Sequence, residues 1–81
     1  MNRLYSIKSN KANITWTIKS ENKELTEQEM QYISDFVPDV WHDPNFGIDM
    51  CYDQKMPSGR WISGIGFSKD RTVACACVCC W

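Results

Sequence analysis

The chain has 81 residues, a formal net charge of −1 and five cysteines, enough for one domain and too short for a deep enclosed pocket. Its nine Lys and Arg are spread along the sequence, which argues against a nucleic-acid binder, because phosphate contacts need a clustered basic face. No apolar run of signal-peptide type stands at the start and no stretch reaches the length of a membrane span, so the expected location is the cytoplasm, where an odd cysteine count reads as free thiols.

Leu4 to Lys8 is a short strand with Tyr5 and Ile7 on one face, and Ser9 to Asn13 is a turn, since Asn tolerates left-handed geometry. Ile14 to Lys19 alternates: Ile14, Trp16 and Ile18 face in, while Thr15, Thr17 and Lys19 face out. The two strands form a hairpin. A polar connector, Ser20 to Glu24, leads to a helix start. Thr26 is the N-cap and Glu29, three residues on, completes a capping box, with Leu25 and Met30 placed for a hydrophobic staple. Met30, Ile33 and Val37 recur at helical spacing, Phe36 widens the stripe, and Pro38 ends it.

Residues 38–53 break the pattern. They hold four Asp and no Lys or Arg, interleaved with Trp41, Phe46 and Tyr52. Two Pro and one Gly argue against a regular element there, and the aromatics argue against disorder. A long loop in a compact domain is usually functional. Gln54 to Gly59 reads as a turn. Arg60 to Phe67 reads as a strand with Trp61, Ser63, Ile65 and Phe67 on one face. Gly64 and Gly66 leave the other face bare, which implies close approach of a backbone or ring.

The last ten residues, Thr72 to Trp81, carry no charge. Val73, Cys75, Cys77, Cys79 and Trp81 fall on one strand face, and Thr72, Ala74, Ala76, Val78 and Cys80 on the other. Both rows are small or apolar, so the segment reads as an inner strand covered on both faces. Were it at an edge, it would pair across a homodimer. The whole pattern predicts one α+β domain over residues 1–81. Its sheet is four-stranded and mostly antiparallel, in the order ββαββ, with one helix on one face and a long loop before the C-terminal hairpin.

The cysteine row raises metal or redox chemistry, but same-face strand neighbours stand about 6.6–6.8 Å apart and lack the turn-type spacing of structural zinc. Packing as small hydrophobes is the simpler reading, and no metal or cofactor is expected. His42 with Asp43, and Cys51, are the residue types of a base, its orienter and a nucleophile, yet nothing in the sequence brings them together, so no catalytic residue is assigned. Asp43, Asn45, Gly47 and Asp49 depart from a calcium loop in the glycine position and in having Gln54 at the twelfth place.

The acidic-aromatic loop is the main functional signal. Aromatics anchor interfaces and a one-sign patch steers a basic partner, so Trp41, Asp43, Phe46, Asp49, Tyr52 and Asp53 are the candidate partner-binding residues. The alternative is that Trp41 and Phe46 fold back over the sheet.

The segments Met1-Asn-Arg-Leu-Tyr-Ser-Ile-Lys-Ser-Asn10 and Tyr32-Ile-Ser-Asp-Phe-Val-Pro-Asp39 resemble the N-terminal half of small type II-C anti-CRISPR proteins. The resemblance implies a phage-encoded inhibitor of a CRISPR nuclease, acting at its HNH domain. The second half of the chain departs from that pattern, and no site residue carries over. The expectation is therefore a non-enzymatic inhibitor or adaptor that binds a bacterial protein with a basic groove, without direct contact to nucleic acid or membrane. An immunity protein or antitoxin, and a Cys-based metal or redox module, are the alternatives.

Overall fold

Alternation in residues 15–20 buries Trp16 and Ile18 and exposes Thr17, and the sheet is assembled on both sides of that segment. The computed structural model describes residues 3–21, 23–38, 41 and 52–79. Its elements are β1 (Arg3–Lys8), β2 (Thr15–Ser20), α1 (Glu27–Asp35), β3 (Tyr52–Lys55), β4 (Trp61–Phe67) and β5 (Val73–Cys79). The fold is α+β with one helix, as the pattern predicts. The sheet differs: it has five strands, in the order β1-β2-β5-β4-β3.

The β1–β2 and β4–β5 pairs are antiparallel, as expected of hairpins. They are joined by a parallel pairing of β2 with β5, Thr15 opposite Val73 through Ser20 opposite Val78. Each hairpin thus contributes its more deeply buried strand to the middle of the sheet, and large residues meet small ones there. Trp16 lies beside Ala74 and Ile18 beside Ala76, all four buried.

Tyr52–Lys55 is a strand, not part of a loop and turn. It pairs antiparallel with β4. Of its four residues only Tyr52 is apolar, so no alternation announces it. The hairpin is closed by bonds from the Met56 amide to the Arg60 carbonyl (2.8 Å) and from the Gly59 amide to the Met56 carbonyl (2.9 Å). Gly59 has φ +92°, a region that only glycine enters readily.

The expected facing of β4 is also corrected. Ser63 lies opposite Cys77 but Gly66 lies opposite Cys75, so β4 carries one extra residue over that interval. The same excess appears against β3, where Tyr52 and Gln54 face Ile65 and Ile62. The extra residue is a β-bulge with Gly64 at φ +66°. It resets the alternation, so Ile62 and Ile65, three apart, are both buried while Trp61 and Ser63 are only partly covered. Nothing lies within 4 Å of a Cβ built on Gly64 or Gly66. Neither glycine therefore marks a close approach. Gly64 is required by its backbone angle.

β5 has the two predicted rows, but only one is covered. Ala74, Ala76 and Val78 are buried, whereas Cys75 is exposed, Val73 is 37% exposed, and Cys77 and Cys79 are intermediate. The larger apolar surfaces of β2 and β4 lie on the Ala/Val side, and α1 packs there too. The thiols are left on the outer face. β5 sits at the centre of the sheet, so it has no free edge to pair across a dimer. Cys80 and Trp81 lie outside the described residues.

Thr26 caps α1 as its spacing predicts. Its hydroxyl accepts the Glu29 amide (3.1 Å), and the Glu29 carboxylate accepts the Thr26 amide (3.0 Å). The helix ends at Asp35, before Pro38. Phe36 stacks between Trp16 (5.9 Å) and Tyr32 (5.8 Å). At the far end of the helix the Asn10 amide donates to the Ser34 carbonyl (2.7 Å), tying the β1–β2 turn to it.

The Glu29 carboxylate also meets Arg60 in the interior. The guanidinium donates to Glu29 Oε1 (3.2 Å), to the Ser20 hydroxyl (2.8 Å) and to the carbonyls of Glu21 (3.2 Å) and Val78 (3.4 Å). Ser58 donates to Glu29 Oε2 (2.9 Å). Both charged side chains are nearly inaccessible, at 3% and 2%. Burial alone would raise the Glu29 carboxyl pKa. The Thr26 amide, the Ser58 hydroxyl and Arg60 outweigh it, and the value lies below the ordinary 4.5.

Two outcomes follow from these contacts. Thr26→Ala removes the acceptor for the Glu29 amide and is expected to lower stability by about 0.5–2 kcal/mol in urea denaturation. Arg60→Met leaves the Glu29 carboxylate buried without its counter-ion, and breaking such a pair costs roughly 3–5 kcal/mol. That loss is comparable with the total stability of a chain this size, about 4–12 kcal/mol at roughly 0.05–0.15 kcal/mol per residue. The pH dependence has a definite sign. Because the folded-state value of Glu29 is depressed, its contribution is full above the ordinary 4.5 and is lost as pH falls through the folded value. Wild type should therefore lose stability across that acidic window, and Glu29→Gln should show a shallower fall in the same titration of Tm.

Candidate functional site

Three of the six candidate binding residues lie among the described residues: Trp41, Tyr52 and Asp53. Asp43, Phe46 and Asp49 lie outside them, as do His42, Asn45, Gly47 and Cys51. Trp41 is half-buried and packs against the core. Its indole N–H donates to the Arg71 carbonyl (3.1 Å), and its amide donates to the Pro38 carbonyl (2.9 Å). Tyr52 opens β3 opposite Ile65 and also packs on the core. Asp53 is exposed and accepts the Gly64 amide (3.0 Å), holding the bulge. Trp41 and Tyr52, the described residues on either side of 42–51, are thus both fixed to the β4–β5 half of the sheet.

The turn that receives Trp41 is itself well ordered by hydrogen bonds. Asp70 accepts the hydroxyls of Ser68 and Thr72 (both 2.7 Å) and the Thr72 amide (3.1 Å). The Ser68 hydroxyl is the largest influence, followed by Thr72, and together they bring the Asp70 carboxyl down to about 2. Arg71 has φ +66°, and its guanidinium lies 5.2 Å over the Phe67 ring. This cation–π contact keeps one basic group at the strand end where Trp41 docks.

Charge is more strongly sorted than the loop alone indicates. Nine of the ten acidic residues fall between Glu21 and Asp53, against Lys23 alone. Folding keeps this division in part. Glu24, Glu27 and Asp35 are exposed on and before α1, while Lys8 and Lys19 occupy outer-face positions of the sheet, in register with Val73 and Cys77. Asp35 is held below the ordinary carboxylate range by Gln31 and then Asn10, which donate to it, so it stays ionised. The exposed carboxylates beside the helix are partly matched by cations, since Arg3 pairs with Glu24 (2.8 Å) and Lys11 lies near enough to Asp35 to favour its ionised form. A count of charge by segment could have found the sorting along the chain; a search confined to the loop does not.

On the outer face, Cys75, Cys77 and Cys79 are free thiols, with the Cys79 Sγ 3.7 Å from the Ser63 hydroxyl. Among the described residues no group of three or more His, Cys, Asp or Glu is placed to hold a metal ion. No described helix is long and apolar enough to cross a membrane. No protein-family model, curated protein or solved structure matches the chain.

The thiols give a direct check of the facing of β5. In the native state under reducing conditions, iodoacetamide should label Cys75 first, with Cys77 and Cys79 slower, as read by peptide mapping. Labelling of Cys75 only after denaturation would place that row in the interior.

Proposed function

We propose that the chain is a small non-enzymatic inhibitor or adaptor, phage- or mobile-element-encoded and acting in the bacterial cytoplasm. It would engage a basic surface of a host protein, and a nuclease of a defence system is the target class. The observation that carries this reading is the concentration of acidic charge in one stretch, with nine of the ten acidic residues between Glu21 and Asp53 against Lys23 alone. A one-sign surface raises the encounter rate with an oppositely charged groove and rejects acidic partners. A DNA-cleaving enzyme must itself carry a basic groove for its substrate, so an acidic protein that fills the groove competes with the nucleic acid. The resemblance of the N-terminal segments to type II-C anti-CRISPR proteins points to the HNH domain of a CRISPR nuclease as the first target to try.

Within this reading the aromatic residues divide by role. Trp41 is committed to the fold through the Arg71 carbonyl and the core, which leaves Phe46 as the anchor and Asp43 and Asp49 as steering charges. Binding to a purified type II-C HNH domain, measured by biolayer interferometry over a salt series, tests it. Asp43→Lys and Asp49→Lys are expected to slow association by roughly threefold to tenfold at low ionic strength and to flatten the salt dependence. Phe46→Ala should speed dissociation by on the order of 2 kcal/mol or more. Trp41→Ala should lower Tm instead. No binding would remove the nuclease target, and Asp variants with wild-type kinetics would remove the acidic surface as its docking device.

A further inference from the structure

The two edges of the sheet are not equivalent. β3 is four residues long, carries Asp53 and Lys55 on its exposed positions, and pairs irregularly with β4. Short, charged and irregular strands are the usual protection of a sheet edge. β1 is neither short nor irregular, and its two charges, Arg3 and Lys8, stand at its ends. It is six residues long, contains no proline, and runs in unbroken register with β2.

The direction of its free backbone groups can be read from the ladder. The Ser9 amide donates to the Ile14 carbonyl (2.8 Å), and the Thr15 amide donates to the Thr72 carbonyl (2.8 Å). Even-numbered residues of β2 therefore bond β1, and odd-numbered ones bond β5. In an antiparallel pair, bonded positions alternate. Arg3, Tyr5 and Ile7 thus turn their backbone groups to β2, and Leu4, Ser6 and Lys8 turn theirs outward. All three outward residues are exposed, Leu4 at 77%. Leu4 is the most exposed large hydrophobic side chain among the described residues.

We propose that this edge pairs with the same edge of a second copy, β1 to β1 antiparallel about a two-fold axis at Ser6. This register uses every outward N–H and C=O of the strand. It sets Ser6 opposite Ser6 of the partner copy, Leu4 opposite Lys8, Tyr5 opposite Ile7 and Arg3 opposite Ser9. No charged residue meets a like charge, and the Lys8 stem covers Leu4 while its ammonium stays in water. An isologous contact of this kind closes on itself and leaves no further edge of the same type.

The groove beside the edge fits the same occupant. It has a volume of about 420 Å³ and runs between β1 and α1, with Ile7 and Met30 as its apolar floor. Tyr5 of the second copy lies opposite Ile7 beside this groove, with its own hydroxyl held by the Leu25 amide of its chain (3.1 Å). The dimer is a continuous ten-strand sheet with both helices on one face. It does not depend on the function proposed above.

Sedimentation equilibrium of the whole chain over a dilution series tests the proposal. A mass of twice 9.4 kDa, falling to one chain on dilution, is expected. Ser6→Pro removes an outward N–H without touching the β2 ladder and should abolish the dimer while circular dichroism is unchanged. Ser6→Cys gives a register-specific reading. The two copies of that position lie about 5.5 Å apart between Cα atoms at a bonded pair, within disulfide reach. Oxidation should therefore link the two introduced thiols between copies, as mapped by mass spectrometry. Leu4→Cys, which faces Lys8, should not link to itself. A chain monomeric throughout the series, a dimer that survives Ser6→Pro with its fold intact, or equal self-linking of the Ser6→Cys and Leu4→Cys variants would overturn the proposal.

Discussion

The Glu29–Arg60 ion pair is the constraint on which the rest of the structure depends. Glu29 caps the helix it belongs to, and Arg60 begins the last hairpin. Between them they bond to the end of β2 at Ser20, to the segment after it at Glu21, to β5 at Val78 and to the β3–β4 turn at Ser58. Four separate pieces of chain are thereby held at one end of the sheet. Two charges removed from water cost several kcal/mol each before they interact, so the pair is tolerated only because nearly every lone pair and N–H finds a partner. The Arg60 Nε is an exception among the described residues, as is the Trp16 indole N–H. The network specifies one arrangement of helix and strands more than it adds stability, since any slip would strand a buried charge.

That specification explains the mixed sheet. Two hairpins with apolar inner strands could be stacked or joined in several ways. The parallel join of β2 to β5 is the one that brings Ser20 and Val78 side by side, where one guanidinium can reach both. At the other end of the sheet, the Ser34 carbonyl fixes the β1–β2 turn, and Trp41 is fixed to the β4–β5 turn. The helix is thus pinned at both ends, and the aromatic stack of Trp16, Phe36 and Tyr32 fills the space between.

The local elements were legible in the sequence because each is encoded by short-range chemistry. The alternation of Ile14, Trp16 and Ile18 fixes β2, and the Thr26–Glu29 spacing fixes the helix start. Features set by distant partners were not legible. Glu29 was readable as a cap but not as half of an ion pair, because Arg60 is 31 positions away. The two rows of β5 were readable, but not which row is buried. Cysteine and alanine are both small enough for either side, and the choice is made by Trp16 and Ile62, which belong to other strands. The bulge at Gly64 reverses the alternation by one residue, so the strand reads correctly to Ser63 and wrongly after it. Of the candidate site, the acidic bias of the loop was visible, and its extension back to Glu21 was countable in the sequence, but that Glu24, Glu27 and Asp35 are exposed needed the helix to be placed.

The same arrangement separates stability from surface charge. Among the described residues Glu29 is the one buried acid, and the positions of Glu24, Glu27, Asp35 and Asp53 are all exposed. Glu29 cannot be exchanged without disturbing the packing, whereas exposed carboxylates contribute little to folding in water. Of these, Asp53 holds the bulge through the Gly64 amide, whereas Glu24 and Glu27 can be altered to match a partner at small cost to the fold. The thiol row lies opposite, on a sheet face with no comparable role in the core. Exposed thiols on a central strand stay reduced only where the surroundings keep them so. In the function proposed, the acidic stretch is the part that meets another protein. The outer sheet face, with Cys75 beside Thr17 and Lys19 beside Cys77, is the face that must stay apart from oxidants.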